Sequence, residues 1–197
     1  MRIGGIQKFS FIDYPKKTSA VIFTQGCNFR CEYCHNPQLV YYNMFQVSIP
    51  QEEILAFLES RKNQLDGVVI TGGEPTLQPD LIEFIKKVKE MGFLIKLDTN
   101  GSNPDVLKQI INQKLVNFIA MDIKAPFDKY NSVCCVPVDI SAIKQSIELI
   151  KKSGIDFLFR TTYDKSKLFD EDIQTMTNFL NVNDHYKIQK CNPVVFH

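Results

Sequence analysis

Apolar residues along this chain fall into short runs and helical stripes that alternate from end to end. Ser19 to Gln25 (S-A-V-I-F-T-Q) reads as a buried strand. Gln51 to Gln64 reads as a helix, with Ile54, Leu55, Leu58 and the following Leu65 on one face. Ser48 and Gln51 have the spacing of a capping box at its start, and Pro50 sits in the first turn. Val68 to Thr71 is a second strand, and Leu81 to Met91 a helix stopped by Gly92. The alternation continues with a strand from Phe93 to Asp98, a helix from Pro104 to Gln113 and a strand from Val116 to Ile123. A helix from Ile140 to Ser153 ends at Gly154, and Ile155 to Thr162 is the fifth strand. Asp170 to Leu180 is helical and Tyr186 to Lys190 the sixth strand.

Six strands with intervening helices predict parallel β/α units. A full barrel needs eight units and about 250 residues. The 197 residues here therefore predict an α/β fold built as an incomplete (β/α)6 TIM-type barrel with parallel strands, a single domain over 18–197. A doubly wound open sheet is the second choice. Residues 1–17 lie outside the units as an N-terminal extension, an edge ribbon or a lid. The last strand is followed only by Asn192 to His197, without a closing helix.

Composition narrows the partners. Hydrophobic residues make up 44% and charged residues 23%, ordinary for a soluble globular protein. With 23 Lys+Arg against 22 Asp+Glu, no charge excess points to nucleic acid or a membrane surface. The N-terminus lacks the apolar core of a secretory signal, and no run approaches the ~20 residues of a membrane helix. Six cysteines in such a chain fit a reducing cytoplasm.

The loop after the first strand carries the most specific chemistry: Gly26-Cys27-Asn28-Phe29-Arg30-Cys31-Glu32-Tyr33-Cys34-His35-Asn36-Pro37. Thiolates spaced this closely can wrap an iron–sulfur cluster. Three of them leave one iron of a four-iron cluster open to a ligand. A structural zinc on Cys27, Cys31, Cys34 and His35 is the rival reading. Against it, Cys34 and His35 are adjacent, and neighbours rarely point at one tetrahedral ion. A disulfide framework would suit a short secreted chain.

Polar clusters recur where the other strands end. Thr71-Gly72-Gly73-Glu74-Pro75 follows the second strand, Asp98-Thr99-Asn100-Gly101 ends the third, and Asp122-Ile123-Lys124 ends the fourth. Arg160-Thr161-Thr162 ends the fifth, and Cys191-Asn192-Pro193 follows the sixth. Active sites of β/α barrels are built from these strand ends. Gly72 and Gly73 allow close approach of a ligand to the backbone, and Glu74 can accept from an ammonium group. Asp122 and Lys124 are two apart on a strand and share a face. Arg160 can balance Asp98 or Asp122. Cys134, Cys135 and Cys191 read as structural thiols.

Taken together, Cys27-x3-Cys31-x2-Cys34 with Tyr33 before the last cysteine resembles the signature of radical S-adenosylmethionine enzymes, and Gly72-Gly73-Glu74-Pro75 resembles their second motif. The cysteine loop is further similar to that of glycyl-radical-enzyme activating proteins. Ile6 to Pro15, Leu97 to Ser102 and Met121 to Pro126 resemble the subgroup that activates anaerobic ribonucleoside-triphosphate reductase. The resemblance implies an oxidoreductase with a 4Fe-4S cluster on Cys27, Cys31 and Cys34, its open iron chelating S-adenosylmethionine. It places Tyr33 and His35 near the adenine, Gly72, Gly73 and Glu74 near the amino group with Pro75 among the cofactor-binding residues, and Asp122 and Lys124 against the cofactor. Asp98, Asn100 and Arg160 are the other rim residues expected to bind it. An electron from a flavodoxin- or ferredoxin-type donor would cleave the sulfonium, and the resulting radical would take hydrogen from a glycine of a partner glycyl-radical enzyme. A radical enzyme acting on a small molecule, in the manner of 7-carboxy-7-deazaguanine synthases, is the alternative; Cys34-His35-Asn36-Pro37 argues against it.

Overall fold

The computed structural model describes residues 1–182 and 185–191. Seven strands form one sheet whose spatial order follows the chain. They are β1 (Ile3–Tyr14), β2 (Lys17–Thr24), β3 (Gly67–Gly72), β4 (Leu94–Thr99), β5 (Phe118–Asp122), β6 (Asp156–Tyr163) and β7 (Tyr186–Lys190). From β2 to β7 every neighbouring pair is parallel, as the alternating strands and helices predict. The sheet does not close: β1 pairs only with β2 and β7 only with β6. An incomplete barrel is therefore the architecture, with six parallel strands.

The N-terminal extension is an edge ribbon. β1 runs antiparallel to β2 with irregular register at three places, which is how an edge strand absorbs extra residues. The helix expected over Gln51 to Gln64 is shorter, because α2 (Gln51–Ser60) stops where the chain turns through Asn63 in a left-handed conformation. Leu65 stays buried but lies beyond the helix. The expected capping box is absent too: no side chain caps α2, and the Ser48 hydroxyl instead accepts the Ile3 N–H at 2.9 Å. Gly92 and Gly154 follow α3 (Leu81–Glu90) and α6 (Ile140–Lys151) with left-handed backbones, as their stop signals require. The other helices are α1 (Pro37–Val40), α4 (Pro104–Asn112), α5 (Tyr130–Cys134) and α7 (Asp170–Leu180). Residues Asn192 to His197, where a closing helix is missing from the pattern, lie outside the described residues.

Strand alternation separates two faces. Ala20, Ile22, Val68, Ile70, Ile95, Leu97, Ile119, Met121 and Phe159 join the apolar faces of the helices in one buried core. On the opposite face Tyr14, Val21 and Val69 pack with Phe23, Leu94 and Phe118. The same face continues toward the strand ends with Thr71, Asp98, Asp122, Arg160 and Thr162, which line a cavity. An apolar floor with polar residues above it is thus written into the period-two pattern. No helix among the described residues is long and apolar enough to cross a membrane.

Candidate functional site

A cavity of about 290 Å³ opens at the C-terminal ends of the parallel strands, and Cys27, Cys31 and Cys34 all line it. Their loop is stiffened from within. The Arg30 guanidinium donates to the carbonyls of Cys27 at 2.6 Å and Phe29 at 2.8 Å, and stacks over Tyr41. The Phe29 N–H reaches the Cys27 sulfur at 3.4 Å, and the Cys34 N–H donates to the Cys31 carbonyl. Burial pushes the Cys27 thiol up to about 11 and raises Cys34 as well. Cys31 differs: a hydrogen bond from Cys134 brings it down to about 6.

The Gly72-Gly73 pair lets β3 crowd the end of β2. A Cβ on Gly73 would lie 2.2 Å from the Gly26 carbonyl oxygen, and one on Gly72 2.3 Å from the Thr24 nitrogen. Only glycine allows this approach. The gain is three backbone bonds: Gly73 N–H to Thr24, Glu74 N–H to Gly26, and Gly26 N–H to Leu39.

Glu74 lines the cavity yet is fully buried, and its carboxylate is taken. One oxygen accepts from the Thr76 N–H (3.0 Å), the Thr76 hydroxyl (2.6 Å) and the Thr99 hydroxyl (2.8 Å); the other accepts the Asn100 N–H at 2.6 Å. These bonds join the loops after β3 and β4 and leave the second oxygen with a single donor. Asn100 extends that joint to the cysteines. Its amide nitrogen donates to Asn28 at 2.9 Å and approaches the Cys27 sulfur at 3.9 Å, and Asn28 donates to Ser102.

Charges occupy the rest of the rim. Asp98 accepts from Lys96 at 2.5 Å, from Thr71 at 3.2 Å and from Arg160 at 3.3 Å. Asp122 accepts from Arg160 at 2.9 Å and from Lys124 at 3.1 Å. Arg160 therefore serves both carboxylates. Burial opposes ionisation of Asp122, but Arg160 and Lys124 outweigh it and hold the carboxyl at about 2. Burial likewise opposes the charge on Lys124, and Asp122 more than restores it.

Tyr33, His35, Gly72, Gly73, Glu74, Asp98, Asn100, Asp122, Lys124 and Arg160 all join the three cysteines at the cavity wall; Pro75 does not. Gln189 and Lys190 of β7 also line it, and the sequence reading missed them. Their signal was available, since the strand-end rule applies to the last strand as well, and Gln189 pairs in register with Thr162. Lys96 was missed although it shares a face with Asp98 two residues on.

No group of three or more His, Cys, Asp or Glu among the described residues is placed to hold a single metal ion. A four-iron cube binds each thiolate through a different iron, so the cysteines need only ring a cavity, which they do. The Tyr33 hydroxyl, buried at the wall, has no hydrogen-bond partner. Soft thiols around one cavity beside an orphaned hydroxyl fit a cluster with a further ligand.

Residues 21–180 match the model of the radical SAM superfamily. The chain belongs to that superfamily. A Methanocaldococcus jannaschii protein provisionally named a glycyl-radical enzyme activating enzyme is 40% identical over 97% of this chain and 80% of its own length. The pyruvate formate-lyase-activating enzyme of Clostridium pasteurianum is 36% identical over 62% of this chain and 52% of its own. A 7-carboxy-7-deazaguanine synthase of Methanopyrus kandleri is 32% identical over 59% of this chain and 52% of its own. The solved structure of anSMEcpe with bound AdoMet superposes with a TM-score of 0.69 at 20% identity, over 88% of this chain and 50% of that one. The chain thus spans about half the length of several proteins it matches, and the likeness to the last is one of fold.

Proposed function

We propose that this chain is a glycyl-radical-enzyme activase that holds a 4Fe-4S cluster on Cys27, Cys31 and Cys34 and binds S-adenosylmethionine at the open iron. Bound there, the two groups supply one-electron cleavage of the sulfonium and a radical able to take hydrogen from a glycine Cα. The observation that carries the reading is the meeting of three thiols with Asp98, Asp122, Lys124 and Arg160 in one cavity of a sheet that stays open. The match over 97% of this chain and 80% of the Methanocaldococcus relative supports the activase class.

Each part of the wall has a task in this reading. The Gly72-Gly73 backbone brings β3 against the cysteine loop and bounds the space for the cofactor's amino end. Glu74 and Asn100 hold that loop in place. Lys124 presents a cation to the cysteines and to the cofactor's carboxylate. Tyr33 and His35, at the same wall, would face the adenine. The gap between β1 and β7 admits a loop of a protein substrate, and a flavodoxin- or ferredoxin-type protein donates the electron. The partner we favour is the anaerobic ribonucleoside-triphosphate reductase, in a cytoplasmic setting, with no nucleic acid or membrane involved.

The test is anaerobic reconstitution with iron and sulfide, followed by incubation with reductant, S-adenosylmethionine and the reductase. The expected results are about four irons per chain, absorption near ~400 nm from thiolate-bound clusters, and a glycine-centred paramagnetic doublet on the partner. A colourless protein with one zinc would reject the radical reading altogether. The deazaguanine synthase relative favours a second reading, a small-molecule substrate. Cluster and cofactor cleavage with no radical on any candidate partner would favour it over the activase.

A further inference from the structure

Beyond the cysteine loop the chain forms α1 and then runs over the surface to α2. Val40 and Tyr41 are neighbours, yet Val40 lines the cavity while Tyr41 is exposed. The wall between cavity and solvent is one residue thick at this place. Tyr42, Met44 and Val47 follow in the open, with Tyr42 77% and Val47 94% exposed. Large apolar side chains grouped in solvent mark a surface that a partner covers. The strip is also fixed. The Gly26 N–H donates to the Leu39 carbonyl at 2.7 Å, the Gln25 side chain to the Gln46 carbonyl at 2.9 Å, and the Ile49 N–H to the Ile3 carbonyl at 2.8 Å. Its charge is one-sided. The Arg30 guanidinium lies 5.5 Å from the centre of the Tyr41 ring, and that of Arg2 lies 5.8 Å from the centre of Tyr42. The sequence has no acidic residue between Glu32, which is paired with Lys167, and Glu52 in α2.

We propose that this strip, Tyr41 to Val47 with Arg2 and Arg30, is the face on which an acidic, flavodoxin-type protein docks to pass its electron inward. The proposal rests on the activase reading above and gives its electron donor a place. Electron tunnelling weakens steeply with distance, so the thinnest wall is the favoured entry. Arg30 bonds the Cys27 carbonyl at 2.6 Å from beneath Tyr41, which ties the strip directly to the cysteine loop. Redox encounters bury little surface, below about 1,200 Å², so a few side chains suffice. The two arginines steer an acidic partner, and Tyr42 and Val47 suit the apolar edge of a flavin. In the transfer the anionic flavin hydroquinone loses one electron and becomes the neutral semiquinone, the cluster gains that electron, and no proton changes hands. Tyr41, Tyr42, Met44 and Val47 all lie outside the cavity, so donor and protein substrate can be bound at once.

The experiment uses the reconstituted enzyme, a flavodoxin reduced to its hydroquinone, and photoreduced 5-deazaflavin as a small reductant that needs no docking face. Stopped-flow absorbance near ~400 nm follows cluster reduction, and calorimetry reads flavodoxin affinity for the metal-free chain. Arg2→Glu combined with Tyr42→Ser should slow reduction by flavodoxin about five- to tenfold and weaken its binding by a similar factor. The small reductant should act at the wild-type rate. Val47→Asp alone should show the same selective loss, and the wild-type rate with flavodoxin should fall as salt is raised. Variants as fast as wild type with flavodoxin, or slowed equally with both reductants, would overturn the proposal and leave the activase reading standing. So would an acidic ferredoxin that reduces the wild type where flavodoxin does not. A glycine radical lost under the small reductant would assign the strip to the glycyl-radical partner, and a dimer that the variants dissolve would assign it to a second copy; either overturns the proposal. A wild type that assembles no cluster would overturn the activase reading and the proposal with it.

Discussion

Replacing Gly73 by alanine tests how tightly the loop after β3 is pressed against the cysteine loop. The new methyl would sit 2.2 Å from the Gly26 carbonyl oxygen and 2.7 Å from its carbon, where ordinary contact starts at 3.4 Å. Both atoms are backbone, so no flexible side chain can swing away. Relief requires the two loops to part, and parting breaks the bond from the Glu74 N–H to the Gly26 carbonyl, now 2.8 Å. Overpacking of this kind costs about 1–3 kcal/mol, and the lost hydrogen bond about 1 kcal/mol more. The expected destabilisation is about 2–4 kcal/mol, using those two magnitudes. Urea unfolding of the metal-free, reduced protein would read it as a midpoint lowered by about 1–2 M, given a slope near 2 kcal/mol per M. Gly5→Ala is the control, because its methyl meets only the Phe23 ring at 3.9 Å. A Gly73→Ala midpoint equal to that of Gly5→Ala would refute the reasoning.

Arg160→Met removes the cation shared by Asp98 and Asp122 and leaves each with one lysine, Lys96 and Lys124 respectively, and should cost about 1.5–3 kcal/mol in the same unfolding assay, the range for hydrogen bonds to charged groups. Asp122 is expected to make stability fall as acid is added. Its folded carboxyl is held at about 2 against about 3.9 unfolded, so its contribution is complete above the higher value and disappears through the lower one. Asp122→Asn should flatten the curve of stability against pH in that window, and an unchanged slope would show that other carboxylates dominate. In the metal-free protein Cys31, at about 6, should be alkylated far ahead of Cys27, at about 11, because only thiolates react. A brief iodoacetamide pulse near neutral pH with peptide mapping checks this; equal labelling would contradict the assignment.

The strand ends were legible because buried parallel strands read as short apolar runs, and each run here stops at a polar cluster. Asp98, Asp122 and Arg160 were found that way. Leu65 misled the reading of α2, since it extends the stripe of Ile54 and Leu58 past the turn at Asn63 that ends the helix. The N-terminal segment, expected as an edge ribbon or a lid, showed no strand pattern for the opposite reason. Phe9, Phe11 and Ile12 are exposed while Ser10 is buried, so an edge strand with bulges shows no clean alternation. Cys134 could not be placed from sequence, because the Arg30 N–H that reaches its carbonyl comes from a loop about a hundred residues earlier.

The polar residues at the wall and directly behind it divide between two kinds of work, a division that sequence motifs alone conceal. Glu74, Asn100 and Asn28 spend their atoms on one another's loops, so they act on a ligand by fixing where the cysteines stand. Asp98, Asp122, Lys96, Lys124 and Arg160 form a chain of two carboxylates and three cations. Its surplus is one positive charge, and Lys124 lies at the end nearest the thiols. That lysine favours the ionised form of Cys27, Cys31 and Cys34 alike. Assembly of the proposed cluster would require all three to lose a proton, while burial resists that loss at Cys27 and Cys34. The Asp122–Arg160 pair is what keeps the cation in position, for Asp122 holds Lys124 charged and Arg160 keeps Asp122 ionised. Under the proposed cluster the acidic rim residues would thus support metal binding at one remove, by keeping Lys124 charged beside three thiols that would have to become anions.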